Sequence, residues 1–312
     1  MLVPYRPAPR QNRQWQFAAF CHVMPRVLDA ALGPGRWRIY LGEQLADTCK
    51  FARGRVLNAL AACAKQDLGV VNVRYVLHDV DLLPTVQRAR LYGVPWRAAD
   101  GALMPACALW PDGKYSGGAY ADKFVGGVLG IDAAAFWHVG GFFNGFEGWG
   151  GEDDAFASAC AARGVGILQL PRDGAIGNMT DLEVGFCRVP GQVHASRASD
   201  AATKHRLIRE ARTHDGLRNC AAALMFQVCN RTVLETRPHD VVLLQLHVTI
   251  DKVGPVHTWH NGVPYFEKRN ERGEVVLVFD DYMNAADAPP LREPRVYMDE
   301  LLELSLVDVV AS

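Results

Sequence analysis

The chain has 312 residues, of which 49% are hydrophobic and 21% charged, and its formal net charge is −1. This composition excludes a disordered chain, and the balanced charge provides no basic field that could hold nucleic acid or an anionic membrane. The eight cysteines form no C-x-x-C pair, so we expect mostly buried, reduced thiols rather than a zinc ribbon. Because neither a long apolar run nor a signal-peptide pattern is present, we predict a cytoplasmic or otherwise soluble protein without a membrane span.

The first 80 residues alternate short apolar runs with helical patterns, which is typical of a parallel α/β arrangement. Segment 37–41 predicts a strand, and 51–65 predicts an amphipathic helix with apolar residues at helical spacing. Segment 70–77 is rich in β-branched residues and predicts a buried central strand. That strand ends at Asp79-Val80-Asp81.

Beyond a stretch without clear periodicity, segment 124–131 predicts another strand. A short helix over 133–139 should follow, with Asp132 as its N-cap and Gly140-Gly141 as its end. A loop rich in glycine and aromatic residues covers 142–151, and a further helix is expected to begin at Glu152.

The C-terminal part changes character after a last predicted strand at 241–250. Asn261-Gly262 and Arg272-Gly273 are turn signals between short β-prone runs. We therefore predict one main domain over residues 1–254 and a C-terminal extension over 255–312, with β hairpins followed by an irregular or helical tail.

Asp79 and Asp81 are the first candidate for chemistry, because they follow a buried strand. Ligands of α/β proteins bind in the crevice at the carboxyl ends of the strands. Residues two apart share a face of an extended segment, so both carboxylates could hold a divalent cation against a diphosphate. The alternative is structural, with one aspartate capping a turn and the other exposed to solvent.

The second candidate is Trp149 between glycines, followed by Glu152-Asp153-Asp154. Carboxylates at a helix N-terminus are stabilised as anions by the helix dipole, and an ionised carboxylate in a cleft can accept a proton from an attacking hydroxyl. An indole face suits the apolar side of a sugar ring. The alternative, an ordinary acidic first turn, is common but rarely has a tryptophan between glycines before it.

The histidines are weaker candidates for a metal site. Any one of the ten is more often a surface or core residue than a metal ligand. His194 lies beyond Pro190-Gly191, and an imidazole beside one carboxylate would suit Mn²⁺ somewhat better than Mg²⁺. The C-terminal histidines lack metal-ligand spacing, and no P-loop, G-x-S-x-G or dinucleotide fingerprint is present.

Taken in order, these motifs resemble one family, the β1,4-galactosyltransferases (glycosyltransferase family 7). The resemblance runs over roughly residues 1–254 and is most specific from Phe124 to Phe156. Its segments are Val3-Pro4-Tyr5-Arg6, Phe51-Ala52-Arg53-Gly54-Arg55-Val56-Leu57-Asn58, Asp79-Val80-Asp81-Leu82-Leu83-Pro84, Gly126-Gly127-Val128, Gly148-Trp149-Gly150-Gly151-Glu152-Asp153-Asp154, Asp215-Gly216-Leu217 and Val248-Thr249-Ile250-Asp251.

The resemblance implies an α/β GT-A fold, Rossmann-like, with a mixed sheet and helices on both faces. It also implies Mn²⁺ or another divalent cation, a UDP-sugar donor and inverting transfer to a glycan or glycoconjugate hydroxyl. Asp153 would be the general base, and Asp81 and His194 would be metal ligands. Acceptor contacts would come from Trp149, Glu152 and Asp154. Donor contacts would come from Pro4, Tyr5, Arg6, Arg53, Asp79, Phe124, Gly126 and Gly127.

The chain departs from the family pattern at three positions. Gly191 stands where the family has a metal-binding methionine, and Arg74 replaces a cysteine before the metal strand, so that family disulfide cannot form. Phe124 takes the position that tunes donor choice, where an aromatic ring favours galactose by size. Transfer of N-acetylgalactosamine or another sugar stays open, as does a non-catalytic protein that binds nucleotide-sugars or glycans.

Overall fold

The structure, a computed structural model, describes residues 1–7, 13–44, 51–110, 124–148, 150–170, 179–182 and 206–209, and the backbone of strands between 227 and 279. The helices are Arg13–Leu32 (α1), Arg53–Leu68 (α2), Val86–Arg90 (α3), Ala133–Val139 (α4) and Glu152–Ala162 (α5). The strands are Leu2–Tyr5 (β1), Ile39–Gln44 (β2), Arg74–His78 (β3), Leu82–Pro84 (β4), Trp96–Arg97 (β5), Leu103–Met104 (β6), Ala106–Ala108 (β7), Val128–Asp132 (β8), Ile167–Gln169 (β9), Met179–Asp181 (β10), Gln227–Arg237 (β11), Asp240–Thr249 (β12), Thr258–His260 (β13), Val263–Arg269 (β14) and Val275–Phe279 (β15).

A mixed eight-stranded sheet organises the described residues, in the order β11-β12-β2-β1-β3-β8-β7-β9. Its strands β12, β2, β1 and β3 run parallel, whereas β8 is antiparallel to both β3 and β7. The predicted α/β class with a mixed sheet is confirmed. The parallel strands end at one edge of the sheet, where a ligand crevice is expected.

Helices pack on both faces of this sheet because successive side chains of each strand point to opposite faces. On β3, Tyr75 and Leu77 join the core under α2, α4 and α5, whereas Val76 joins the core under α1 and α3. Each face therefore has its own apolar layer. Cys107 and Cys160 lie fully buried in these layers as free thiols, as the composition predicts.

Helix α1 is the largest element that the sequence analysis does not specify. Its buried positions include Phe20, Val23, Met24, Val27 and Leu28, which recur at helical spacing. Pro25 lies inside it, and an interior proline normally argues against a helix because it removes one hydrogen bond and crowds the preceding turn. Burial of this apolar face outweighs that local cost.

Boundaries differ modestly from the sequence predictions. Strand β3 starts at Arg74 rather than Val70, and β8 starts at Val128 rather than Phe124. Asp132 does occupy the N-cap of α4, but its side chain makes no capping hydrogen bond. Its carboxylate instead accepts a hydrogen bond from Arg74, at 3.3 Å from Nε. Tertiary contacts thus override the local capping preference.

Arg74 is built into the fold where the family pattern has a cysteine. Its guanidinium lies over the Trp96 ring, 4.0 Å from the centroid, and also donates to the Val94 carbonyl. These contacts tie β3 to the segment around β5.

The C-terminal strands β13, β14 and β15 form a separate antiparallel sheet. They lie in the segment where turn signals predict hairpins. The division at residue 254 stays a prediction, and the tail beyond 279 lies outside the described residues. Among the helices that the structure describes, none has the length and apolar character needed to cross a bilayer.

Candidate active site

The site lies at the edge of the sheet where β1 and β3 end and where antiparallel β8 begins. His78 pairs with Val128 across β3 and β8, and Leu77 pairs with Leu2 of β1. Three of the predicted segments therefore come to one edge: Tyr5-Arg6, Asp79 to Asp81, and Gly126-Gly127. Their convergence follows from sheet topology and could not be read from spacing alone.

The loop after β3 is held from both sides by backbone hydrogen bonds. The Asp79 N–H donates to the Gly127 carbonyl at 2.9 Å, and the Leu182 N–H donates to the Asp81 carbonyl at 2.8 Å. The second bond continues the antiparallel pairing of β10 with β4. Asp81 is buried, and its Oδ2 forms an ion pair with Arg13 at 2.8 Å.

Arg53, at the start of α2, joins the two acidic motifs. Its Nε donates to Asp79 Oδ1 at 2.8 Å, and its NH1 donates to Asp153 Oδ1 at 2.7 Å. Glu152 Oε1 lies 3.9 Å from the same NH1. One guanidinium therefore contacts carboxylates from the β3 loop and from the N-terminus of α5, which brings both motifs together at this edge of the sheet.

The charges in this cluster are strongly coupled. Burial alone would lower the pKa of Arg53, but Asp153, Asp79 and Glu152 more than compensate and raise it. Burial raises the pKa of Glu152 to about 8, and the neighbouring Asp153 adds to this effect while Arg53 opposes it. Burial raises the pKa of Asp79 to about 6 against the opposing charge of Arg53, and repulsion from Asp81 and Asp153 contributes.

Gly126 and Gly127 shape the space beside Asp153. A Cβ at Gly126 would lie only 2.7 Å from Asp153 Oδ2 and from the Phe124 ring, so a side chain there would displace one of them. Gly127 has a φ of +75°, and a Cβ there would lie 2.1 Å from the Trp110 ring. Both positions therefore require glycine, one for close approach and one also for its backbone conformation.

Aromatic rings border the crevice at two places. Phe124 meets Trp110 edge-on, with centroids 6.1 Å apart, and its ring also approaches Gly126. Tyr5 stacks on Phe17 of α1 at 4.5 Å. Pro4 and Arg6 are buried beside Tyr5. All the predicted donor-contact residues thus lie on elements that reach this edge.

The buried side chain of His78 contacts the acidic loop that follows β3. Burial lowers its pKa to about 4, so the ring is neutral near pH 7. Its Nδ1 lies 2.8 Å from the Asp79 backbone carbonyl and its Nε2 lies 3.2 Å from the Tyr92 hydroxyl. A neutral ring satisfies both contacts when Nδ1–H donates to the carbonyl and Nε2 accepts from Tyr92.

Helix α2 also holds the loop that leads into α5. Asn58 is fully buried, donates to the Phe142 carbonyl at 2.8 Å and accepts from the Phe142 N–H at 2.9 Å. Arg55 donates to the Asn144 carbonyl at 2.5 Å and to Glu147 at 2.9 Å. The same helix that carries Arg53 therefore fixes the approach to the acidic N-terminus of α5.

Two of the predicted site residues, Trp149 and His194, lie outside the described residues, as does Gly191. Asp154 is described and is exposed on the first turn of α5, while Glu152 is buried and Asp153 lies between these extremes. Within the described ranges, no group of three or more His, Cys, Asp or Glu side chains is arranged to hold a metal ion.

Arg13, Arg55 and Asn58 support the site, although the sequence motifs predict no role for them. Arg55 and Asn58 are three apart on α2, and polar residues at that spacing within an apolar face signal buried hydrogen bonding. That signal was available in the sequence. No comparable sequence pattern marks Arg13, because its ion pair with Asp81 depends on how α1 packs.

Replacing Glu152 with Gln tests the buried acid. The folded-state pKa of Glu152, about 8, lies above its unfolded value, so its contribution to stability is present at low pH and is lost as pH rises through that range. We expect Glu152→Gln to gain stability relative to wild type between about pH 5 and 8, by at most about 1.4 kcal/mol per pH unit.

Urea unfolding of wild type and Glu152→Gln across that pH range measures the difference between their free energies of unfolding. Groups that titrate equally in both proteins do not contribute to this difference. Asp100→Asn, which makes the same kind of change in an exposed turn, is the control for stability. A constant offset between Glu152→Gln and wild type would contradict the raised pKa.

Comparison with known proteins agrees with this geometry. Residues 114–183 match the family described as the N-terminal domain of galactosyltransferase. Beta-1,4-galactosyltransferase 2 of Cricetulus griseus is 29% identical over 171 residues, which is 54% of this chain and 41% of the relative. Beta-1,4-galactosyltransferase 5 of Homo sapiens is 31% identical over 155 residues, 49% of this chain and 35% of the relative. The chain thus spans about two-fifths of the length of these relatives.

Solved structures show the same fold. The catalytic domain of Drosophila beta1,4galactosyltransferase 7 in complex with xylobiose superposes with a TM-score of 0.56 at 21% identity, covering 80% of this chain and 93% of that one. A mutant of that enzyme in complex with manganese, UDP-Gal and xylobiose gives a TM-score of 0.55 at 20% identity, with the same coverage. The GT-A fold and the resemblance to β1,4-galactosyltransferases are confirmed.

Proposed function

We propose that this chain, a relative of the β1,4-galactosyltransferases, is a metal-dependent inverting glycosyltransferase. It moves a hexose, with galactose favoured, from a UDP-sugar to a hydroxyl of a sugar acceptor. The observation that carries the proposal is the double contact of Arg53 with Asp79 and Asp153. Asp79 lies in the predicted donor-side loop, and Asp153 is the predicted base. Because one guanidinium contacts both, a donor and an acceptor bound at these residues would meet.

Inversion requires one base and no covalent sugar intermediate. Asp153 suits this role because Arg53 contacts its Oδ1 while its side chain stays partly exposed. An acceptor hydroxyl bound at Oδ2 would give up its proton as its oxygen attacks the anomeric carbon, and the bond to the UDP oxygen would break.

Glu152 has a different part in this proposal. Its raised pKa keeps it largely protonated near pH 7, so its carboxyl can donate a hydrogen bond to an acceptor oxygen instead of competing for the proton. Glu152 and Asp153 therefore have different roles in the proposal, because Glu152 is buried and Asp153 is partly exposed. Arg53 holds Asp153 in position for the attack.

Asp79 and Asp81 are the described carboxylates that a divalent cation could bind. Asp79 and Asp81 present carboxylates at the strand end, and mutual repulsion contributes to the raised pKa of Asp79, which an added positive charge would relieve. Asp81, together with His194, would hold the ion, in competition with Arg13, which now pairs with Asp81. When bound, the cation would neutralise charge on the diphosphate leaving group.

Phe124 supports galactose as the preferred sugar. Its ring fills space against Trp110 and Gly126, beside the base. A bulky ring there leaves less room for an N-acetyl substituent on the donor sugar than a smaller side chain would.

A donor-by-acceptor screen tests the proposal. The protein is incubated with UDP-galactose, UDP-N-acetylgalactosamine or UDP-glucose, each with a panel of mono- and disaccharides, with Mn²⁺ or with chelator. We expect acceptor-dependent UDP release that is fastest with UDP-galactose and needs the metal. If UDP binds but no pair yields product, the non-catalytic binding alternative replaces the proposal.

Asp81→Ala tests the cation site separately. We expect it to weaken Mn²⁺-dependent UDP binding at least tenfold, about 1.4 kcal/mol, because a carboxylate ligand is removed. Isothermal titration calorimetry with Mn²⁺ and with chelator measures this. Asp100→Ala, in the exposed turn between β5 and β6, is the control and should bind as wild type. Equal wild-type affinity with and without metal would contradict the proposed ligand.

A further inference from the structure

A second concave surface lies at the opposite edge of the main sheet from Asp79 and Asp153. This cleft, of about 1360 Å³, is bordered by residues at the starts of β1, β3 and β7 and at the end of β8, including Leu2, Arg74, Pro105 and Asp132. Because it lies where the parallel strands begin, it is separate from the crevice where they end. The proposed transfer reaction makes no use of it.

The cleft concentrates exposed apolar side chains. Of the described residues, the large hydrophobic side chains with substantial exposure all border it: Leu68 at 42%, Val71 at 79%, Val94 at 44% and Leu103 at 64%. Trp37 and Trp96 lie deeper in the same surface. Exposed apolar side chains gathered in one patch indicate a contact surface, whereas scattered ones need no explanation.

The charge of the cleft is strongly positive. Its described lining contains Arg36, Arg38, Arg74, Arg90 and Arg97, against Asp132 as a carboxylate. Arg74 pairs with Asp132, and Arg38 lies near Asp67. Arg36, Arg90 and Arg97 are exposed and make no ion pair with any residue that the structure describes. An occupant should therefore combine an apolar face with negative charge.

One segment outside the described residues combines apolar and acidic residues in its sequence. Over 296–312 it has four acidic residues and no lysine or arginine. At helical spacing, Met298, Leu301, Leu302 and Leu304 would share one face, and Asp299, Glu300 and Glu303 the other. A second copy of the chain fits less well, because a two-fold contact through this patch would set arginines against arginines.

We propose that the acidic segment 298–306 of this chain docks into the arginine-rimmed apolar cleft. The 18 residues between Phe279 and this segment can extend to about 60 Å. This reach exceeds the diameter of about 45 Å expected for a compact domain of about 250 residues. Because the segment is covalently attached, a weak contact suffices for occupancy.

Hydrogen–deuterium exchange on the full-length chain tests the docking. The variant Asp299→Lys, Glu300→Lys, Glu303→Lys reverses the charge of the segment. The control Asp280→Lys, Asp281→Lys, Asp287→Lys makes the same charge change in the tail outside it. We expect amides of 68–73 and 91–104 to exchange at least about fivefold faster in the first variant, and at the wild-type rate in the control.

A compensating variant identifies the contact surface. Adding Arg36→Glu, Arg90→Glu and Arg97→Glu to the reversed segment should restore slow exchange, because opposite charges again face each other. Unchanged exchange in the reversed variant overturns the proposal, and so does equal acceleration in the control.

Other occupants give different results. Protection that disappears on dilution, together with a dimer in light scattering, would assign the cleft to a second copy. Protection that appears only with phosphatidylglycerol vesicles would assign it to an anionic lipid surface. Either result overturns docking of the segment.

Discussion

Replacing Asp153 with asparagine is expected to reduce sugar transfer by at least about 10²-fold, within the range typical of a removed general base. Asparagine has nearly the same shape and can still accept a hydrogen bond from Arg53, but it cannot take the proton of an acceptor hydroxyl. UDP binding should remain, because the donor-side residues are unchanged. Initial rates at saturating UDP-galactose and calorimetric UDP affinity measure the two effects.

The matched control for this variant is Asp100→Asn, which makes the same chemical change in an exposed turn. It should transfer at the wild-type rate. If Asp153→Asn retains turnover, Asp153 is not the base and the proposed mechanism fails, even if the chain proves to be a transferase. If UDP affinity is lost as well, the variant has disturbed the Arg53 cluster and the two effects are not separate.

Replacing Arg53 with methionine is expected to destabilise the protein by about 2–3 kcal/mol at pH 8. Loss of one partner of a buried ion pair typically costs more, and the partial exposure of Asp79 and Asp153 reduces the value. The loss should shrink toward pH 5, because Asp79 and Glu152 can then take up protons and the mutual repulsion falls.

Urea unfolding at pH 5, 6.5 and 8 measures this dependence. Arg53→Lys is the matched variant, since it keeps the positive charge but cannot donate two hydrogen bonds in fixed directions. It should recover most of the pH-dependent part of the loss. An Arg53→Met penalty that does not change with pH would show that the guanidinium acts through packing and not by balancing the three carboxylates.

The acidic motifs could be found in the sequence because each is local. Asp79 and Asp81 directly follow an apolar strand, and Glu152 to Asp154 open a helix behind a glycine-rich loop. Such features depend on neighbours within a few residues, so spacing and residue type reveal them. The resemblance to a known family added roles that spacing does not provide, and for Trp149 and His194 those roles stay predictions.

The supporting contacts could not be found in the same way. Arg53 lies 26 residues before Asp79 and 100 residues before Asp153, and its contacts exist only because α2 packs beside the end of β3 and the start of α5. The ion pair of Arg13 with Asp81 similarly depends on where α1 packs. Local sequence rules argue against a helix there, because a proline lies inside α1.

The amino-acid sequence by itself determined the α/β class, both acidic motifs and the family that they resemble, since each of these depends on residues that are close together in the chain. Only the tertiary structure decided that Arg53 joins the motifs, that Glu152 is buried while Asp153 is partly exposed, and that arginines and apolar side chains gather at the far edge of the sheet. These are long-range outcomes, because burial and ion pairing depend on which distant segments the sheet brings together.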